Sequence, residues 1–401
     1  MVGSQVTALA VPLTALLVLD ASPGQLGVLS ALQYAPIVLV TLPAGVLVDR
    51  FSPRPIMLAT DAGRAAVYGA VGLLALVGLL SLSGLAVLAF SGGVLTAVFD
   101  VAYISYLPTV VSAEALVDCN ARLEASSAAA EIGGQGLAGL LVQLVGAGGA
   151  LLVDAATYVC SGVAVLGILD GEPRESDRPC TSLAAVVGEI RAGLSVALRA
   201  PLLRPLMLQS AWLNLLLQVS FVTVPIYALR VLGLGSATLG LVLAVGSAGA
   251  LAGCVSAGRL GQKHGAAVAL IVGMGLTCFG EALLPLAPGP PPLAAVTLAI
   301  AYAIHGFGLG MFNVHSLTLR QREVPPEMLG RTVAGYRLVT WGGIPIGALI
   351  GGELVQALGP RPSLGLVAGG LTASAALFAL TLWRHRALSP TERFAIEAID
   401  R

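Results

Sequence analysis

The feature that most constrains this chain is a series of apolar runs of about 20 residues, separated by charged, proline-containing or glycine-containing stretches. A bilayer core about 30 Å thick is crossed by a helix of about 20 residues, so each run predicts a transmembrane helix. Twelve runs occur, at residues 2–19, 25–48, 56–80, 85–107, 121–144, 150–169, 206–229, 239–258, 266–286, 293–317, 333–358 and 364–383. The predicted fold class is therefore all-α, a polytopic membrane protein with twelve transmembrane helices.

Composition agrees with a lipid environment, because 57% of the residues are hydrophobic and only 10% are charged, whereas soluble domains are about 25% charged. The 21 basic and 21 acidic residues cancel, so nothing indicates a nucleic-acid partner. The five cysteines are scattered, without a CxxC motif or a Cys/His cluster, which argues against a metal site and against a disulfide framework. We predict a protein of the lipid bilayer with no metal and no cofactor.

Basic residues determine the predicted orientation. When both termini are placed in the cytoplasm, seventeen of the 21 basic residues lie on the cytoplasmic side, as the positive-inside rule requires. These are Arg50, Arg54, Arg122, Arg174, Arg178, Arg191, Arg199, Arg204, Arg259, Lys263, Arg320, Arg322, Arg331, Arg384, Arg386, Arg393 and Arg401. The expected location is the cell membrane, with several membrane passes and both termini cytoplasmic.

The first run has an unusual flank, because Met1 stands almost at its start and no basic residue precedes it. We expect a truncated or misassigned start. The alternative is a cleaved signal peptide, but the run lacks a charged leading region, and its removal would leave an odd number of helices.

An internal repeat predicts two related halves. Residues 93–101 align with residues 306–314 at an offset of 213, and residues 122–134 align with residues 331–343 at an offset of 209. The matched pieces fall in the fourth and tenth helices and in the fifth and eleventh. Transporters commonly consist of two related bundles around a site at the membrane midplane, and here the duplication predicts two pseudo-symmetric six-helix bundles.

The stretch from Asp170 to Leu203 is the chain's longest polar segment and divides the halves. We predict an N-terminal bundle at 1–169, a cytoplasmic linker at 170–203, a C-terminal bundle at 204–384 and a cytoplasmic tail at 385–401. Apolar residues from Leu183 to Leu198 recur at helical spacing, which predicts an amphipathic helix. That helix could lie along the membrane interface or pack against the bundle.

Two motifs and several shorter stretches resemble a known family. Residues 45–54 read GVLVDRFSPR, which is similar to the signature loop of the major facilitator superfamily, with Ser52 and Pro53 in place of a glycine and a basic residue. A weaker copy, GRLGQKHG, occupies residues 258–265. Residues 99–108, 120–122, 320–331 and 336–345 resemble the drug/proton antiporter branch that contains macrolide-efflux and enterobactin-exporter proteins.

The resemblance implies the major facilitator fold and the outward transport of a drug, siderophore or other small amphiphile, driven by proton entry. An importer of the same fold is the nearest alternative. A channel would need a pore-lining ring or filter, and a membrane enzyme would need a catalytic motif such as HExxH or GxSxG; the sequence contains none of these. We expect a monomer that binds a small-molecule substrate and protons.

Charged residues near the cytoplasmic helix ends suggest a gate. Placing a charged side chain at membrane depth costs on the order of 3 kcal/mol, so charged residues there usually pair with another group or have a function. The predicted gate residues are Asp49, Arg50, Arg54, Asp61, Arg64, Arg122, Glu124, Arg331 and Arg337. We expect this network to join the halves and to break when the cavity opens inward; the alternative is a permanent structural cluster of ion pairs.

Glu131 lies about halfway along the fifth predicted helix, far from those arginines. It is the first candidate for a proton-coupling residue, and Asp100 is the second. The alternative is a carboxylate hydrogen-bonded permanently to a neighbouring helix. Asp154 and Glu281 fall in helices that are peripheral in the resembled fold, so we expect both to be structural.

The resembled fold lines its cavity with helices one, four, seven and ten. Besides Asp100, the polar candidates on these helices are Gln5, Gln209, Trp212, Asn214, Gln218, His305, Asn313 and His315. Small residues that let helices approach and bend give the hinge candidates Gly133, Gly134, Gly136, Gly139, Gly342, Gly343 and Pro345. Residues 133–139 lie where exporters of the superfamily carry a Gly-Pro-x-x-Gly motif, here with Gly134 in place of the proline.

Overall fold

A computed structural model describes residues 2–111, 116–168 and 183–387, and every regular element in these ranges is helical. The elements are α1 (Val2–Leu17), α2 (Pro23–Arg50), α3 (Pro53–Leu76), α4 (Leu82–Val110), α5 (Leu116–Gly167), α6 (Leu183–Arg199), α7 (Leu203–Ile226), α8 (Ser236–His264), α9 (Ala266–Leu283), α10 (Pro291–Glu323), α11 (Pro326–Leu358) and α12 (Pro360–Ala387). A π-helical turn, Tyr227–Val231, extends α7, and a 3₁₀ turn, Leu284–Leu286, extends α9. The predicted all-α fold class is confirmed.

The fifth and sixth predicted helices are continuous in the structure except at one residue. Gly146 has φ 74° and ψ 168°, a conformation that breaks the helical path inside α5. Glycine reaches positive φ without a steric penalty, so the chain reverses there with almost no loop. We call residues 116–145 and 147–167 the first and second arms of α5.

Most of the predicted spans have helices of sufficient length. Nine stretches in the described residues are long and apolar enough to cross a membrane, and one of them, Ser126–Gly167, includes both arms of α5. Helix α1 is apolar but short, at Gly3–Leu17, and α3 carries the buried charges Asp61 and Arg64. Counting the two arms of α5 separately and adding α1 and α3 to the nine stretches gives twelve candidate spans. The number of spans that cross the membrane stays a prediction.

Helix starts follow local rules. Proline occupies one of the first two positions of α2, α3, α10 and α11, where its missing N–H would have no helical partner. Ser22 and Gln25 form a reciprocal capping box at the start of α2. These signals fix where the helices begin.

Contacts divide the helices into two groups. In the first half α1 and α3 pack on α5, and α4 packs on α2 and α3; in the second half α10 packs on α8 and α9, and α11 and α12 pack on α7. The groups meet mainly through α2 with α11 and through α5 with α8. We call the end that holds the α1–α2 and α7–α8 connections the outer end, and the end next to α6 the inner end.

The amphipathic helix of the linker is present as α6, and it packs against α11. A Cβ atom on Gly193 would lie 2.1 Å from the carbonyl oxygen of Arg331, and one on Gly335 would lie 2.9 Å from the backbone nitrogen of Leu194. The Arg331 side chain also pairs with Glu189 at 3.2 Å. The structure thus favours the packing alternative for this helix. Residues 169–182 and 388–401 lie outside the described residues, and the domain boundaries stay a prediction.

The contact at Gly193 gives a stability prediction. Gly193→Val forces α6 away from α11, and we expect a loss of about 1–3 kcal/mol of stability, as for other overpacked contacts, seen as a lower thermal unfolding temperature of the detergent-purified protein. Gly188→Val is the matched control, because Gly188 is on the same helix and a Cβ there meets nothing within 4 Å. Equal unfolding temperatures for the two variants would contradict the packing described here.

Candidate functional site

The two halves meet at two crossings where glycine faces glycine. At the first, a Cβ atom on Gly27 of α2 would lie 2.8 Å from the Cα of Gly352 on α11. At the second, a Cβ atom on Gly139 of α5 would lie 2.8 Å from the Cα of Gly240 on α8. Only residues without a side chain allow such backbone contact. We call the α2–α11 and α5–α8 contacts the two seams.

A polar contact accompanies each crossing near the outer end. The side-chain oxygen of Gln143 accepts a hydrogen bond from the backbone N–H of Ala237 at 3.0 Å, and that of Gln356 accepts one from Gly24 at 3.1 Å. Both N–H groups belong to the first turn of a helix, where backbone donors have no partner within the helix. Each glutamine therefore caps a helix of the opposite half.

The seams are related by a single sequence offset. Gly27 and Gly240 differ by 213 positions, as do Gly139 and Gly352, and the same difference relates Gly24 to Ala237 and Gln143 to Gln356. The contacts at the seams relate the fifth helix to the eleventh at an offset of 213. The sequence alignment of these two helices at an offset of 209 is therefore wrong by four residues. Four residues make about one helical turn, so the shift keeps the same face and resembles the true register. The two glutamines are not among the predicted site residues.

The outer end is closed by further contacts between the halves. Asp20, after α1, pairs with Arg230 at the end of the π-helical turn, with 2.7 Å between carboxylate and guanidinium. One apolar cluster includes buried residues of both halves, among them Leu26, Val222 and Leu239. At the inner end the described ion pairs join residues of one half, or α6 to α11. The structure thus shows the bundle joined at its outer end.

The Asp61–Arg64 pair of the predicted gate belongs to the interior of the first half. Its atoms approach to 2.5 Å, and the side chains are 1% and 3% exposed. The guanidinium lies over the rings of Phe99, 4.0 Å away, and Tyr158, 4.6 Å away. Through these contacts the pair joins α3, α4 and the second arm of α5.

Hydrogen bonds continue from Tyr158 to α1. Tyr158 and Thr7 share a hydrogen bond of 3.3 Å, and Thr7 donates a second one to Asp154. Asp154 is buried, and Thr157 also lies within hydrogen-bond distance of its carboxylate. These contacts fit the structural role expected for Asp154.

Two of the other predicted gate residues have described contacts of their own. Arg54 donates to the carbonyl oxygen of Leu166 at 2.8 Å, and Arg337 lies 4.1 Å from the ring centre of Trp341. Arg50 and Arg122 are exposed. Asp49 and Glu124 are within helices, and their side chains lie outside what the structure describes. A gate that joins the halves stays a prediction.

Glu131 and Asp100, the coupling candidates, are both exposed. Ser247 of α8 donates a hydrogen bond to the side-chain oxygen of Gln135 at 3.2 Å, and Glu131, one turn earlier on α5, lies near the same hydroxyl. Glu131 therefore lies on the α5–α8 seam, toward its inner end. Asp100, on α4, experiences the positive charges of Arg64 in its own half and of Arg337 in the other.

Four of the cavity candidates contact helices of their own half. Gln209 donates to Ser374 on α12 at 3.2 Å, and Trp212 donates to the carbonyl oxygen of Gly370 at 3.3 Å. Asn214 donates to the carbonyl oxygen of Thr340 on α11 at 2.9 Å. His315 is bonded to the carbonyl oxygen of Ala257 on α8 at 3.0 Å. These four side chains hold the second half together.

His305 is paired with a residue expected to be structural. Its Nδ1 atom lies 3.2 Å from a carboxylate oxygen of Glu281 on α9, with side-chain exposures of 12% and 2%. Ser220 of α7 donates to the other oxygen at 3.0 Å, so the cluster joins α7, α9 and α10. Of the remaining candidates, Gln218 is buried, Gln5 is partly buried and Asn313 is exposed.

The hinge candidates have mixed surroundings. Gly139 is a seam residue, and a Cβ on Gly136 would contact Ala244 of α8 at 3.5 Å. A Cβ on Gly343 would lie 3.1 Å from the backbone of α7. Positions without a neighbour within 4 Å of a Cβ are Gly133 and Gly342. Gly134 is buried, Pro345 lies within α11, and bending at these residues stays a prediction.

Two related helical bundles that meet along glycine seams are the architecture common among membrane transporters. The chain matches the family model of the Major Facilitator Superfamily over residues 1–343 and 257–399, and it belongs to that family. It is a membrane protein that transports a small-molecule substrate, and it is not an enzyme.

Sequence relatives and solved structures agree with this family. The chain is 29% identical over 342 residues to an MFS-type transporter, y4rN, of Sinorhizobium fredii, with coverage of 83% of this chain and 80% of the relative. It is 26% identical over 334 residues to the multidrug efflux pump Tap of Mycolicibacterium fortuitum, with coverage of 81% and 79%. The crystal structure of the nucleoside transporter NupG has the same fold, with a TM-score of 0.74, 11% identity and coverage of 95% and 99%.

The glutamine caps give a conformational prediction. Replacing both Gln143 and Gln356 by Leu leaves two backbone donors without partners, and each lost hydrogen bond contributes about 1 kcal/mol. We expect the outer end to open in part of the population. Double electron–electron resonance should show this opening as a longer distance between spin labels at Leu79 and Leu286, exposed residues of opposite halves. Gln321→Leu, an exposed glutamine away from the seams, is the control. Identical distance distributions would refute a closing role.

The Asp61–Arg64 pair gives a second prediction. Asp61→Asn leaves a buried guanidinium without its counter-charge, and breaking such a pair costs about 3–5 kcal/mol. We expect a lower unfolding temperature for Asp61→Asn than for Arg337→Gln, whose guanidinium is more exposed. A stable Asp61→Asn protein that has lost transport would instead support a gating role.

Proposed function

We propose that the protein is a proton-coupled exporter of small amphiphilic molecules that works by alternating access. The multidrug efflux pumps among its relatives support the direction and the substrate class. The observation that supports the coupling is the position of Glu131, an exposed acidic side chain on the α5–α8 seam, one turn from the Gln135–Ser247 hydrogen bond. We further propose a monomer in the cell membrane with both termini in the cytoplasm, which makes the outer end extracellular.

Alternating access requires the halves to rock about their seams. The backbone contacts at Gly27–Gly352 and Gly139–Gly240 lack side chains that interlock, so the helices can pivot there. The bonds made by Gln143 and Gln356, and the Asp20–Arg230 pair, hold the outer end in this conformation. Together these contacts stabilise the inward-facing state, and their loss accompanies opening to the outside.

Glu131 is placed to respond to that movement. Gln143 and Glu131 are separated by twelve positions, about 18 Å along the helix, so the seam extends from the outer end toward the middle of the membrane. In the inward-facing state the exposed carboxylate can release its proton to the cytoplasmic side. When the outer end closes again after the substrate has left, a charged carboxylate would be transferred out of water at a cost on the order of 3 kcal/mol, so this return step requires the protonated form.

This cycle couples proton entry to export. Glu131 takes up a proton while the outer end is open, carries it as a neutral group through the closing movement, and loses it inside. The substrate binds in the inward-facing state and leaves outward. An apolar chamber with few polar groups suits an amphiphile, and Asp100 and Asn313 are exposed polar residues on α4 and α10.

The test uses proteoliposomes with an imposed proton gradient and a cationic dye as the probe. Glu131→Gln cannot exchange a proton, so we expect gradient-driven dye accumulation to be lost, while dye exchange at equal pH is retained. Glu323→Gln changes an exposed carboxylate at the inner end of α10 and is the control, with unchanged accumulation expected.

Two outcomes would contradict the proposal. Full gradient-driven accumulation by Glu131→Gln would exclude this residue as the coupling group. Accumulation of the dye only when the gradient is reversed would indicate an importer. Ser247→Ala provides a graded test, because removing the hydroxyl beside Glu131 should shift the pH dependence of transport without abolishing it.

A further inference from the structure

A groove with a volume of about 900 Å³ lies on the outside of the second half, between α7 and α12 and beside the α6–α7 junction. It is bounded at its deep end by the hydrogen bonds from Trp212 to Gly370 and from Gln209 to Ser374. Its other end lies at the inner membrane surface. The groove therefore runs along the bundle from the interface into the apolar layer.

The walls of the groove are mostly apolar. Leu208 is 52% exposed and Leu377 is 65% exposed, and Phe378 forms part of the buried core behind them. Helix α12 packs on α7, α9 and α11, which all belong to its own half. The groove thus opens toward the surrounding lipid and away from the space between the halves.

The inner end of the groove is basic. Arg199, in the last turn of α6, and Arg204, in the first turn of α7, both line it and are both exposed. Among the described residues no acidic side chain lines the groove, and neither arginine has a carboxylate partner there. The two helices are joined through only Ala200, Pro201 and Leu202, so both guanidiniums belong to the same short connection.

We propose that this groove binds an anionic phospholipid of the inner leaflet. The headgroup phosphate pairs with Arg199 and Arg204, and an acyl chain lies along Leu208 and Leu377. Basic pockets between membrane helices bind anionic headgroups. Each basic residue near the membrane surface contributes about 1 kcal/mol of binding free energy, which is somewhat less than a tenfold change in the dissociation constant. The N-terminal end of α7 adds positive potential at the same place. This proposal does not depend on the proposed proton coupling or on the transported substrate.

The functional consequence follows from the position of the groove. Helix α7 forms the wall of the groove on one side, and on its other side Asn214 bonds to α11, the helix of the α2–α11 seam. A lipid bound in the groove would hold α6, α7 and α12 together. It should therefore stabilise the second half as a unit.

The test compares two lipids of equal acyl length, phosphatidylglycerol and phosphatidylcholine, added to the detergent-purified full-length protein and followed by native mass spectrometry and thermal unfolding. We expect tighter binding and a higher unfolding temperature with phosphatidylglycerol only. Arg199→Gln combined with Arg204→Gln should weaken phosphatidylglycerol binding by roughly tenfold or more. Arg322→Gln, an exposed arginine outside the groove, is the control and should bind as the unchanged protein does.

A second variant tests the groove itself, because a tryptophan at Leu208 would fill it without removing a charge. Leu208→Trp should reduce the number of bound phosphatidylglycerol molecules by one. Equal stabilisation by both lipids, or an equal loss of binding in Arg322→Gln, would overturn the proposal. So would a Leu208→Trp protein that keeps the lipid but no longer binds the transported dye, because the groove would then belong to the substrate.

Discussion

Backbone contact between glycines is the constraint on which the structure depends. Gly27 with Gly352, and Gly139 with Gly240, bring the two halves together at distances that a single methyl group would prevent. In a membrane the hydrophobic effect does not drive helices together, so close packing and interhelical hydrogen bonds must do so. The glutamine caps beside each crossing supply those bonds.

Charged groups follow a different rule, because each must find a partner before it can lie in the membrane. The Asp61–Arg64 ion pair lies inside the first half, and in the second half the buried Glu281 carboxylate accepts a hydrogen bond from Ser220 and lies 3.2 Å from His305. Glu131 differs from these, since it lies at the contact between the halves, beside Ser247 and Gln135. In the proposed cycle a carboxylate at such a contact changes its protonation with the conformation, whereas the Asp61–Arg64 ion pair is fixed within its own half.

Much of the fold is predictable from the sequence, because a span needs only length and hydrophobicity, and both are visible in one chain. The runs, the linker helix at 183–199 and the division into halves all correspond to described elements. The turn between the fifth and sixth spans is less predictable, because Gly146 replaces a loop with a single residue. The sequence alignment of the fifth with the eleventh helix is wrong by four residues. A shift of one helical turn leaves the glycines on the same face of the helix, so the sequence alone does not distinguish the two alignments.

The site is less predictable, because the direction of a side chain depends on helix rotation. Gln209, Trp212 and His315 are on helices that line the cavity in the resembled fold, yet all three contact neighbouring helices of their own half. His305 and Glu281 are on different helices, so the sequence does not indicate that they lie 3.2 Å apart. Gln143 and Gln356 were missed, although the offset of 213 that relates them is present in the sequence and could have identified them.

The common offset at the seams also has an evolutionary meaning. If Gly27 and Gly240 occupy one ancestral position, and Gly139 and Gly352 another, then both crossings are the same contact made twice. A chain of only six helices could form this contact with a second copy of itself around a two-fold axis. Fusion of two such genes would allow the copies to diverge, so that an acidic residue such as Glu131 appears at one crossing while the other keeps a purely mechanical role.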